Sequence, residues 1–133
     1  MGTLWLEGTS FSRHNSTLYL GVTVSQLRVH QSIAGYMFEG PYRGLDRFPS
    51  EEGLYAVISS DGREYYLLDI GYSVNVKKAC QRNPKRTCWE QYRRGELQYS
   101  FLRDTQFSEE MYRLAMKEIR KRYRSIPCGK ATE

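Results

Sequence analysis

GLYAVISSDGREYYLLDIGYSVNVKKACQRNP, residues 53–84, is the stretch that decides the fold. Two β-rich runs, 54–59 and 64–70, flank Asp61-Gly62, a pairing of turn residues that marks a β-hairpin. A three-residue loop, Ser60-Asp61-Gly62 with Gly62 at positive φ, sets an even pairing parity, so that Tyr55 and Asp69 share one face of the sheet. A helix follows from about Val74 and stops before Pro84, because the proline disfavours helical geometry at Asn83. Ser73 and Asn75 stand where a helix N-cap is needed.

Downstream, residues 86–94 read as a second short helix that buries Trp89 and Tyr92 and ends at Gly95. Leu97, Tyr99 and Phe101 alternate with Gln98 and Ser100, the pattern of a half-buried strand. Ser108 then caps a longer helix with Glu109 and Glu110 in its first turn, where the helix dipole favours negative charge. Met111, Leu114, Ala115 and Ile119 supply its expected apolar stripe, and Pro127 ends the run. Upstream, residues 3–7 and 17–24 read as short strands. Gly40-Pro41 and Pro49 punctuate an extended connector whose Tyr36, Phe38, Tyr42, Leu45 and Phe48 need burial. The expected fold is α+β, a three-stranded antiparallel sheet flanked by helices with an N-terminal β-rich extension. The expected division is an extension over 1–47 packed on the main domain, that domain over 48–128, and a tail over 129–133.

The 133 residues suffice for one domain with one core. Twenty Lys and Arg against fifteen Asp and Glu give a net charge of +5, which permits a polyanionic partner without establishing one. Eleven tyrosines suit strands, interfaces and base stacking alike. Cys80, Cys88 and Cys128 are odd in number and lack a CxxC spacing, so they read as small apolar fillers in a reducing cytoplasm. No apolar run is long enough to span a bilayer, and the N-terminus lacks a basic segment followed by an apolar one. A cytoplasmic location and no membrane partner are therefore expected.

The order of these pieces resembles the GIY-YIG nuclease superfamily over 48–128. Gly53-Leu54-Tyr55 stands for the first motif and Asp69-Ile70-Gly71 for the second. Asn75 follows at the family's asparagine position, and Glu118 lies at the family's distance before Pro127. The resemblance implies divalent-metal-dependent phosphodiester hydrolysis of nucleic acid, with Mg²⁺ or Mn²⁺ held by Glu118. Tyr55 would help deprotonate the attacking water. Two positions depart from the pattern. Asp69 replaces the second motif's tyrosine, and Ala79 replaces an arginine that would stabilise charge on the phosphate. Arg82, one helical turn further on, could reach the same space. The alternative implied by those departures is an inactive relative that binds nucleic acid or a protein.

Each candidate also has a structural reading. Glu118 falls within the expected apolar arc, as a metal ligand facing the sheet or as an i,i+4 partner of Arg122. Tyr55 could simply fill a strand face, Asp69 could bind backbone N–H groups at a strand end, and Asn75 could cap its helix. Basic residues cluster over 77–94, interleaved with Trp89 and Tyr92, and over 117–124 with Tyr123; the first, holding Lys77, Lys78, Arg86 and Arg93, is the expected nucleic-acid contact, and its bland alternative is a solvated helix face. His14 and His30 have no partner at metal-ligand spacing.

Overall fold

The structure, a computed structural model, describes residues 2–4 and 30–129. Within them the elements run β1 (Gly2–Leu4), β2 (His30–Ile33), β3 (Tyr36–Tyr42), β4 (Gly53–Ser60), β5 (Tyr65–Ser73), α1 (Val76–Gln81), α2 (Arg86–Tyr92), β6 (Glu96–Leu102) and α3 (Glu109–Arg122). The α+β class is as expected. The sheet is larger than the three strands expected, because β2 and β3 join β4, β5 and β6 to make five. The three-residue β1 adds a short edge, giving the antiparallel order β1-β5-β4-β6-β3-β2. The expected strand at 17–24 lies outside the described residues.

β3 occupies the start of the stretch expected to be a connector. Its Gly40-Pro41, read as a turn, instead falls where the β3–β6 register shifts between Glu39 and Tyr42. A proline is tolerated in a strand at such an irregularity. Phe38 and Phe48 are buried as expected, whereas Tyr36, Tyr42 and Leu45 are half-buried.

The central hairpin reaches the expected arrangement by a different route. Its loop has four residues, because Ser60 pairs with Tyr65. Asp61 ties it by accepting bonds from the backbone N–H groups of Arg63 and Glu64, each at 2.9 Å. Gly62 has φ +94°. Continued unbroken, this register would set Ile70 opposite Tyr55. A bulge at Leu68 moves it by one residue, so that Asp69 faces Val57 and Gly71 faces Tyr55. Tyr55 and Asp69 therefore do share a face, through the bulge and not through loop length.

Helices cover both faces, which explains why β4 reads as a continuous apolar run. On one side Leu54, Ala56, Ile58, Leu67 and Ile70 pack with Tyr112, Ala115, Met116 and Ile119 of α3. On the other, Tyr55, Val57, Leu68, Tyr99 and Phe101 pack with Val76 and Cys80 of α1 and Trp89 of α2.

α3 is rotated from the expected stripe. Ala115 and Ile119 are buried, but Met111 and Leu114 are 45% and 55% exposed while Tyr112 and Met116 take their places. The Tyr112 hydroxyl fixes this rotation, donating to Asp104 O at 2.9 Å and accepting from Asp104 N at 2.8 Å.

The cysteine expectation is corrected. Cys88 and Cys128 form a disulfide, and buried Cys80 is the free cysteine. Their spacing conceals the pairing because 40 residues separate them. The bond removes the premise on which a reducing compartment was expected.

Candidate functional site, a cationic cleft beside Tyr55

β1 pairs with β5 only over residues 65–67, and the C-terminal half of β5 lies beyond it. At that edge the two helical layers approach each other. Tyr55 reaches it because its cross-strand partner is Gly71. A Cβ at position 71 would lie 2.3 Å from the Tyr55 hydroxyl, so the ring can lie over that position only if it is glycine. The hydroxyl accepts a hydrogen bond from Asn83 Nδ2 at 3.1 Å. Asn83 is itself oriented by donating to Ala79 O and by accepting from Lys85 N at 2.8 Å.

The cleft that results has a volume of about 210 Å³. Tyr55, Ile70, Gly71 and Tyr72 line its sheet side, Lys85 one wall, and Arg113, Met116 and Arg120 of α3 the other. Among the described residues its lining carries three cations and no carboxylate. Arg113 is held 4.8 Å above the Tyr72 ring and pairs with Glu109 at 2.8 Å. Arg120 Nη2 donates to Ile70 O at 3.4 Å. Burial, reinforced by the Asp69 charge, pushes the Tyr55 phenol up to about 12. The phenol is protonated at neutral pH, as it would be without this shift, which leaves its O–H to serve as a donor.

Asp69 lies beneath this lining, 0% exposed. Its Oδ2 accepts from Trp89 Nε1 and its Oδ1 from Ile70 N, both at 2.8 Å, and Lys85 Nζ stands 3.9 Å from Oδ1. Burial raises its pKa above the ordinary carboxylate value, opposed by the Trp89 bond and by the charge of Lys85.

Of the residues expected to carry chemistry, the structure brings Tyr55 and Asp69 together and leaves Glu118 and Arg82 apart. Glu118 is exposed and accepts a hydrogen bond from the Tyr36 hydroxyl. At about 100° per residue it lies roughly 160° around α3 from Arg120. Arg82 is the exposed C-cap of α1. Asn75 caps that helix, accepting from Lys78 N at 2.9 Å. Lys78, Arg86 and Arg93 are exposed and Lys77 half-exposed. Arg93 pairs with Glu90 at 3.4 Å, and none of the four lines the cleft. His30 lies in β2, far along the sheet order from β5, and His14 is outside the described residues.

Sequence reasoning placed Lys85 and Arg120 only within the basic runs at 77–94 and 117–124, and it missed Arg113. The signal was present on α3, since Arg113, Met116 and Arg120 recur at i, i+3 and i+7. It becomes readable only once Tyr112 and Met116 are recognised as the buried pair.

The described residues around Tyr55 do not gather the carboxylate or imidazole donors that a divalent cation needs. Among the described residues no three His, Cys, Asp or Glu side chains gather. Asp69, the carboxylate beneath Tyr55, has both oxygens bonded within the fold, and the side-chain nitrogens of the lining itself belong to cations. Among the described residues no helix is long and apolar enough to cross a membrane. No family model matches this chain, and neither the curated proteins nor the solved structures include a match to it.

Proposed function

We propose that this chain is a nucleic-acid-binding module of GIY-YIG-like build that captures a phosphodiester in the Tyr55 cleft without metal-dependent hydrolysis. The observation that carries this reading is the convergence of Lys85, Arg113 and Arg120 on a protonated phenol with no carboxylate in the lining. Cations and a neutral donor suit a phosphate oxygen. A base and a metal ligand, which hydrolysis would require, are not supplied by that lining.

Capture needs no chemical step. Tyr55 donates a hydrogen bond to one non-bridging oxygen, and Lys85 offers an ammonium from one wall. Arg113 and Arg120 offer guanidinium groups from the other. Asn83 and Gly71 fix the phenol so that little freedom is lost on binding.

Fluorescence anisotropy with a labelled oligonucleotide tests the reading. Binding should occur at low salt, weaken by roughly tenfold in either Lys85→Ala or Arg120→Ala, and stay unchanged in Glu118→Ala. Incubation with Mg²⁺ or Mn²⁺ should leave the oligonucleotide intact. Metal-dependent cleavage that disappears in Glu118→Ala would instead establish the nuclease implied by the sequence resemblance.

A further inference from the structure

We propose that the Cys88–Cys128 disulfide is a redox-operated clamp on the cleft, holding its walls at the spacing that receives an anion when oxidised and letting them part when reduced. The proposal rests on the anion-binding reading above. Cys88 lies on α2, three residues after Lys85 and directly before Trp89, whose indole holds the Asp69 carboxylate. Cys128 lies on the strip that follows α3, the helix carrying Arg113 and Arg120. That strip passes around the β5 edge. Ile126 is buried in the cluster under α3, whereas Cys128 is buried in the cluster under α1 and α2. The bridge thus fastens the far end of a strap, anchored on one wall, to the helix whose N-cap, Lys85, forms the other.

Among the described residues the strap has few ties besides the bridge. Cys128 N donates to Leu68 O at 2.8 Å, Gly129 N closes a turn on Ile126 O at 3.2 Å, and Ile126 fills one core position. α2 has a firmer hold, since Trp89 is fully buried and bonded to Asp69. Reduction is therefore expected to open the strap locally and leave the sheet folded. Cys88 is half-buried and within reach of a small dithiol, while Cys80 is fully buried. One thiolate of the dithiol attacks Cys88 Sγ and displaces Cys128 as thiolate. The second thiol then displaces Cys88, and the dithiol leaves as a cyclic disulfide, two electrons having reduced the protein to two thiols.

The experiment titrates a fluorescein-labelled oligodeoxythymidylate into the full chain at low salt, with and without dithiothreitol, and follows far-UV circular dichroism in parallel. The expected result is a roughly tenfold loss of affinity on reduction, comparable with one displaced charged contact, with an unchanged spectrum and recovery on reoxidation. The Cys88→Ser, Cys128→Ser double variant should bind at the weak level in both conditions. Equal affinity of the oxidised and reduced wild type would overturn the clamp while leaving anion binding intact. So would a loss of affinity that tracks a loss of secondary structure, since reduction would then be unfolding the domain. Failure of the oxidised protein to bind would overturn the anion-binding reading and the clamp with it.

Discussion

Tyr55 and Gly71 work as one unit, because the missing side chain at 71 is what lets the phenol reach the sheet edge. Gly71→Ala would place a Cβ 2.3 Å from the hydroxyl and 2.4 Å from Cζ, so the ring must move. The expected outcome is a loss of oligonucleotide affinity at least as large as that of Tyr55→Phe, roughly tenfold or more for one hydrogen bond to a charged acceptor. Equal binding by Gly71→Ala and wild type in anisotropy would show that the phenol is not a contact. Asp69 gives a pH dependence whose sign is fixed by its burial. Its folded pKa is raised above 3.8, so between these values the folded state holds a proton that the unfolded state has lost. Stability from this group is complete below the unfolded value and declines as pH rises through the folded one. Urea denaturation across mildly acidic pH should show that decline in wild type and a flatter course in Asp69→Asn. Both residues were legible in the sequence as a pair on one face. Lys85 was not, because its role depends on a turn that Asn83 builds and on a carboxylate that only the fold brings near.

At the scale of elements, the sequence showed the existence of the hairpin and of the helices but not their register or rotation. The β4–β5 pair could be read from Asp61-Gly62 between apolar runs. Its bulge could not, since Leu67-Leu68-Asp69-Ile70 does not reveal which residue is unpaired. β3 was hidden by Gly40-Pro41, which sits where its pairing with β6 shifts register and beyond Tyr36–Glu39, the part that pairs with β2. On α3 two stripes competed, one through Met111 and Leu114 and one through Tyr112 and Met116. The second prevails because it buries an aromatic ring whose hydroxyl also closes the loop at Asp104. That rotation turns Glu118 toward Tyr36 and Arg120 toward Tyr55, so it decides the chemistry of the cleft as well as the packing. Tyr112→Ala should therefore cost about 3–5 kcal/mol, the range for removing a buried aromatic, while Leu114→Ala should cost less than about 1 kcal/mol. Chemical denaturation of both variants measures the difference. Comparable losses would mean that the helix packs on the stripe first expected.

For the whole molecule, the question is whether binding follows the net charge or the cleft. A surplus of five positive charges spread over the surface attracts any polyanion weakly and at many sites. Three cations gathered around one phosphate site neutralise a small, definite number of phosphates. The two cases differ in salt dependence, because each neutralised phosphate releases condensed counterions. With one phosphate of a single strand neutralised in the cleft, log K against log salt should fall with a slope of about −0.7. Lys85→Ala should lower affinity and flatten that slope further. Lys78→Ala, an exposed charge outside the lining, should leave the slope unchanged. Titrations between roughly 20 mM and 200 mM salt would resolve slopes of this size. A wild-type slope near −4 or steeper that falls equally in the Lys78 and Lys85 variants would mean that the general positive surface holds the nucleic acid. The Tyr55 cleft would then be an incidental feature of the β5 edge.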